Sequence, residues 1–379
     1  MTSKERLLAV LRRGKPDRIP WSPLIDGYYV AGLGREITDM EAALEVGADV
    51  MVRKVPVLAR SVFLAHELPG KTGADIPPIP LSEDISRTNE LVGDTICRTY
   101  GTPIGALTER WKISEASPYI PFPVEYLVKS PKDIRVYMYL VEHEEFIPHY
   151  DAFNRIASEL GDRGLATTTV PHTPVQHLLL IHMGVENFYY MLQDYRDEMD
   201  AMMSLMHERN KEVCEIIMKS PAEIGIEYEN TGTSYVSPKI YEELEMPGID
   251  VYADMLHTAN KVFLVHMCGK LKGLAELIGK GRHDGSADIA PPPTGDWTLA
   301  DAKKAWPGKV IVGGLDPITL AKGTPDTVVE HTKEVLRGIA PGDGIILGSG
   351  DAVPFGTPPE NLLAVTRTVE EHGKYPLSA

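Results

Sequence analysis

His266 and Cys268 stand two positions apart at the end of the apolar run "NKVFLVHMCGKLKGL", residues 260–274. Residues i and i+2 of an extended strand share a side. The spacing therefore predicts that the imidazole and the thiol project together. Imidazole with thiolate is a borderline-soft donor pair that suits Zn2+. A core cysteine beside a hydrogen-bonded histidine fits the two residues equally well. A catalytic zinc takes about three protein ligands and keeps one position open, so a zinc site needs a further donor. Cys214 falls inside a long helical pattern and Cys97 in a β-rich stretch, away from the strand ends. The third ligand is then expected to be oxygen or nitrogen. Asp351 and Glu229 end strands of the same sheet. Glu245, in "YEELEMPG", lies in the helix before the His266 strand, where a solvated face explains it better.

The elements that must place these groups are legible as eight β-rich runs. They end near Asp26, Lys54, Val170, Glu229, His266, Pro291, Asp316 and Asp351. Helical patterns with start signals separate most of them: Ser237 before Pro238, and Thr357 with Glu360 at capping-box spacing. Strands alternating with helices imply a parallel sheet, and eight units imply a (β/α)8 TIM barrel. A doubly wound sheet is the runner-up, but no Gly-rich fingerprint follows the first strand. In a barrel the strand C-termini carry the active site, which adds Asp26, His172, Asn230 and Asp316 to the candidates. Each also fits a helix cap or a satisfied loop residue, Asp316 in "GGLDPITL" most plainly. About 110 residues separate the second and third runs. Part of them, at about 90–130, alternates and carries Gly and Pro turns, as expected of a β-rich excursion built on a hairpin. "SPKDIRVYMYLVEHEEFIPHYDAFNRIASEL" then reads as helix. Residues 1–379 are read as one domain with this insertion.

Composition narrows the function. The chain has 379 residues, 43% of them hydrophobic, enough for a large core. A formal charge of -16 argues against nucleic acid, which needs basic patches. Three cysteines fit a reducing compartment better than a disulfide framework. No apolar run approaches the roughly 20 residues of a membrane span. The start "MTSKERLLAV" has a Thr2–Glu5 capping box and an amphipathic helix, not a signal peptide. A cytoplasmic protein without a membrane partner is the expectation.

Several segments resemble one family. "HMCGKLKGLAELI" resembles the H-x-C-G turn of cobamide-dependent methyltransferases in the uroporphyrinogen decarboxylase superfamily. "GSGDAVPFGTPPENLLAVTRTVEEHG" is similar to that superfamily's C-terminal signature. "MTSKERLLAVLRRGKPDRIPWSPLI", "TPVQHLLLIHMGVENFYYML" and "VSPKIYEELEMPGID" also look like family segments, so the likeness spans nearly the whole chain. It implies a (β/α)8 barrel, a zinc ion, and methyl transfer involving a corrinoid (cobalamin) carried by a partner protein. Two departures matter. The arginine-rich stretch that grips carboxylates in true decarboxylases is replaced by "LIDGYYVAGLG", with no arginine before Arg35. The later cysteine of the thiol-methylating relatives is Asp351 here, so the resemblance implies His266, Cys268 and Asp351 as ligands, with Glu229 second. Glu229, Glu245 and His266 resemble a two-glutamate motif of O-demethylases, although the first spacing does not match. An oxygen ligand leaves zinc a harder Lewis acid, which favours demethylating a small methylated donor, an aryl methyl ether being the one expected. Asp26 and Tyr28 are placed to act as the acid for the leaving group, and Trp111, Tyr119 and Phe122 to line the pocket. The rival readings are a metal-free decarboxylase-like enzyme and a binding module without chemistry.

Overall fold

Residues 1–63, 79–114 and 117–377 are described by the computed structural model. Their packing forms two units. The first comprises Met1–Val55, Asn154–Thr169 and Ala222–Ala379. It is an α/β unit with a parallel sheet. Strands Thr168–Val170, Ile224–Glu227, Val262–His266, Gly285–Ile289, Val310–Leu315 and Ile345–Ser349 lie side by side in chain order. Their ladders are parallel from Ile224 onward. Val50–Val52 pairs in parallel with Gly164–Ala166. The third expected run is thus divided at Thr167, whose N–H donates to the Val52 carbonyl at 2.8 Å.

The first expected strand is not regular. Pro20 and Pro23 lack the N–H that a ladder requires. The segment attaches to the last strand through the bridges Trp21–Leu347 and Leu24–Ala352. On its other side the Asp49 N–H donates to the Trp21 carbonyl at 2.7 Å. The Asp49 carboxylate, fully buried, accepts from Arg6 at 2.6 Å, Arg18 at 2.8 Å and the Trp21 N–H at 3.0 Å.

Strand alternation explains the core. Ile224, Ile226 and Tyr228 share one apolar cluster with Val262, Leu264, Val310, Val312 and Ile346. Leu7, Val10 and Leu11 of helix Ser3–Leu11 join it. Each such buried side chain contributes about 1.5–3 kcal/mol. That helix starts at the expected Thr2–Glu5 capping box. Ser237 caps as expected, its hydroxyl accepting from the Ile240 N–H. The Thr357–Glu360 box does not form. The last helix begins at Pro359 after Pro358, and Thr357 is buried behind it.

The second unit comprises Pro56–Phe153 and Val170–Pro221, more than the excursion expected at 90–130. In place of a hairpin it holds a four-stranded antiparallel sheet: Ser86–Val92, Thr95–Thr102, Gly105–Ser114 and Ser117–Glu125. Ile96, Arg98 and Tyr100 are buried opposite Trp111, Glu109 and Leu107. The buried Arg98–Glu109 pair closes at 3.3 Å. Helix Pro131–Glu142 follows. The stretch 130–160 read as helix is interrupted after it by the short strand Phe146–Pro148, before Asp151–Leu160, most of which belongs to the first unit. Long helices Val185–Asp194 and Arg196–Lys219 complete the second unit. No helix among the described residues is long and apolar enough to cross a membrane.

Candidate metal centre

His266 ends the strand Val262–His266 and is 3% exposed. It continues the inward alternation of Val262 and Leu264. Cys268 lies two residues on, half-buried. The turn holding it packs closely on the loop after Ile224–Glu227: a Cβ on Gly269 would lie 2.6 Å from the Thr231 carbonyl oxygen. Asp351 follows the strand Ile345–Ser349, and its carboxylate accepts from the Ala352 N–H at 2.7 Å. The ligand atoms of His266, Cys268 and Asp351 all lie within 4.8 Å of one another. Among the described residues no other three His, Cys, Asp or Glu side chains do so.

The donor set fits zinc: one nitrogen, one sulfur and one oxygen, close enough to share an ion with bonds of about 2.0–2.3 Å. A second shell supports the nitrogen. Asp288 accepts from His266 Nδ1 at 2.6 Å and from Arg53 through both guanidinium nitrogens, one of them at 3.0 Å. A carboxylate accepts only, so it fixes the proton on Nδ1 and leaves Nε2 as the ligating atom. Burial disfavours the charge of Asp288, but Arg53 and His266 outweigh it and hold the carboxyl well below its usual range. Burial likewise opposes the imidazolium of His266. Cys268 and Asp288 outweigh it and raise His266 to about 10 while no metal is bound.

Asp288 reaches the site because the ladder slips. The register between Gly285–Ile289 and Val310–Leu315 shifts between Ser286 and Ile289, and Asp288 has φ +63. Such bulges re-aim side chains. Asn230 (φ +48) and Lys54 (φ +60) are also left-handed. The Cys268 thiol points to Asn230 Oδ1 at 3.7 Å. Lys54 Nζ lies 4.5 Å from the centre of the Tyr228 ring, and that ring lies 5.5 Å from the His266 ring.

The other expected residues fall elsewhere. Glu229 and Glu245 are fully buried but do not join the three-residue group. Ile224, Ile226 and Tyr228 take the inward positions, so alternation turns Glu227 and Glu229 away. They act with Glu245 on the buried Tyr241, whose phenol is pushed well up, by burial first and then by these acids. The solvated face expected for Glu245 is therefore wrong. Asp26 caps helix Gly27–Gly32, accepting from the Tyr28 N–H at 2.9 Å. Burial raises its pKa, Lys54 opposes that rise and Asp351 adds to it. Tyr28 is half-buried against Phe355, ring centres 6.0 Å apart. Asp316 is a helix cap, accepting from the Ile318 and Thr319 N–H groups. His172 belongs to the second unit, where its carbonyl accepts from Asn210 at 2.8 Å. In that unit Trp111 is buried and Phe122 exposed, and the Tyr119 side chain lies outside the described residues. Arg53, Lys54, Tyr228 and Asp288 escaped the sequence reading. An ionisable residue inside the short strand "GSADI" was the available signal.

The fold has solved relatives. A methyltransferase from Methanosarcina mazei matches with a TM-score of 0.62 and 16% identity, over 98% of this chain and 99% of that one. At that identity the likeness is one of fold. D-psicose 3-epimerase from Clostridium cellulolyticum H10 matches with a TM-score of 0.32 and 8% identity, over 60% of this chain and 84% of that one. An endoglucanase from Clostridium acetobutylicum matches with a TM-score of 0.34 and 11% identity, over 59% and 79%. Neither carries a functional argument. Comparison with curated proteins returns no match. The uroporphyrinogen decarboxylase (URO-D) family model matches residues 112–372. That is well over half of the chain, and the protein belongs to this family, whose fold is of the TIM-barrel type.

Proposed function

We propose that this protein is a zinc-dependent methyltransferase that moves a methyl group from a small methylated donor to a corrinoid on a partner protein. The convergence of His266, Cys268 and Asp351 carries the proposal. The full-length likeness to a methyltransferase supports it. We read the parallel strands as an eight-fold barrel whose first strand is reduced to bridges, with the site at the strand C-termini. Zinc bound there would supply Lewis acidity to the heteroatom that loses its methyl group. The oxygen of Asp351 in the donor set favours the demethylating direction and an ether, best an aryl methyl ether.

The chain's own residues divide the remaining work. Arg53 and Asp288 hold the His266 imidazole in one orientation and one tautomer. Asn230 Oδ1 accepts from the Cys268 thiol at 3.7 Å without a metal, and its amide would turn to offer N–H to a thiolate. Asp26 keeps a proton more readily than an exposed carboxylate because burial raises its pKa, which suits it to protonate the leaving oxygen, with Tyr28 beside it.

A metal-free decarboxylation would also fit the family. It is disfavoured because the first arginine after the first strand, Arg35, is spent on a surface pair with Glu45 at 3.0 Å. Elemental analysis of the purified protein beside His266→Ala, Asp351→Ala and Glu245→Gln decides between these. Near-stoichiometric zinc that falls in the first two variants and persists in the third is expected. Absence of metal after zinc addition sinks the reading. Zinc that depends on Glu245 and not on Asp351 moves the third ligand.

A further inference from the structure

Lys54 stands out once the charges around the site are paired off. Asp288 is committed to Arg53 and His266. Asp351 belongs to the metal-ligand set. Asp26 caps a helix. All three act electrostatically on Lys54, yet among the described residues no carboxylate comes within 4.0 Å of its ammonium, which lies over the Tyr228 ring at 4.5 Å. The residue is exposed, while the groups crowding its ammonium lower its pKa by burial first, against the pull of Asp26, Asp288 and Asp351. Its backbone sits at φ +60, a conformation unfavourable for a residue with a Cβ. Strain of this kind persists where the surrounding structure dictates a side chain's direction. Here the direction is over the ring that flanks His266.

We propose that Lys54 is a specificity-determining residue of this site, and that the small molecule it selects carries a carboxylate on the far side of its ring from the methylated oxygen. The inference rests on the methyltransferase reading and narrows its donor to an anionic one. Nζ lies 4.5 Å from the Tyr228 ring and that ring 5.5 Å from the imidazole, so the ammonium is at most about 10 Å from the imidazole centre, a reach that an aromatic ring bound beside Tyr228 and bearing both groups covers. A lysine offers three donors and a point charge to such a carboxylate.

The test is calorimetric binding to the zinc-loaded protein, without corrinoid partner, of 4-methoxybenzoate and its neutral counterpart 4-methoxybenzamide. Wild type is expected to prefer the benzoate by about tenfold to a hundredfold, the range of a hydrogen bond to a charged group. Lys54→Met is expected to bind both probes equally, and Lys54→Arg to retain part of the preference. Urea unfolding of each variant checks that the fold is intact. Equal binding in wild type, binding of neither probe, or a preference that survives Lys54→Met overturns the inference. A Lys54-dependent preference in a protein that transfers no methyl group from any donor overturns the methyltransferase reading alone.

Discussion

Replacing Asp288 by Asn tests the support behind the metal centre. Asn tolerates the left-handed backbone at this position, so the change is chemical and not conformational. The carboxylate now accepts from His266 at 2.6 Å and from Arg53 at 3.0 Å and closer. An amide has one acceptor oxygen. Facing Arg53, it turns its NH2 toward His266 Nδ1, which must then accept, and the imidazole proton moves to Nε2, where a metal would bind. Facing His266, it sets N–H against N–H at Arg53. Either way the Arg53 guanidinium, 8% exposed as a residue, loses its counter-charge. Breaking a buried pair costs about 3–5 kcal/mol. Loss of a second-shell partner costs about 10- to 100-fold in metal affinity. Urea unfolding reads the first and chelator competition for zinc the second. Adding Arg53→Met removes the stranded charge, so the double variant is expected to recover stability but not zinc affinity. If Asp288→Asn binds zinc within about threefold of wild type, the carboxylate does not set the imidazole and the reasoning fails.

Zinc affinity should rise with pH up to about 10, because the metal displaces the proton held by the raised His266; titrations across that range check it. In the metal-free protein the same group contributes stability that is complete below its unfolded value of about 6.5. That stability is lost as pH climbs through about 10. His283 has the opposite sign. Both its ring nitrogens lack a partner among the described residues, and burial, then Lys309, hold it well below its ordinary value. Its contribution is present above about pH 6.5 and lost as pH falls, so urea midpoints at about pH 5 and pH 7.5 should differ less in His283→Leu. Tyr241→Phe should stabilise the fold by about 1 kcal/mol, since it deletes a buried hydroxyl that has no hydrogen-bond partner among the described residues. It should leave zinc content unchanged, and a loss of zinc would show that the acids around Tyr241 hold the metal.

The parts of the site that follow strand periodicity were legible before the structure. His266 and Cys268 share parity, and Asp351 ends a run in the same sheet, so all three could be placed by counting. Asp288 could not. It depends on a register slip between Ser286 and Ile289 that no local pattern announces. Lys54 was passed over as the end of a strand, because a lone lysine there resembles any surface lysine until the Tyr228 ring is seen beneath it. Glu229 and Glu245 were harder to place. Both are fully buried outside the group of His266, Cys268 and Asp351 and act electrostatically on Tyr241. In the fold, Pro20 and Pro23 were the unused signal that the first run, read as a strand, would not be regular. The four-stranded sheet was underestimated because the segments that extend a hairpin into a sheet look like loop until paired.

The donors also differ in when they become available to a metal. The Leu24 N–H bonds to the Ser349 side chain across 325 positions of sequence, and Asp351 stands just beyond that closure. A growing chain that has released His266 and Cys268 still lacks the acid and the strand that carries it. Until that strand docks, the pair offers two ligands on a sheet without its last neighbour. If the proposed zinc binds here, its uptake would be a late event of maturation, coupled to closing the sheet, and zinc present during refolding should speed the final step more than the early ones.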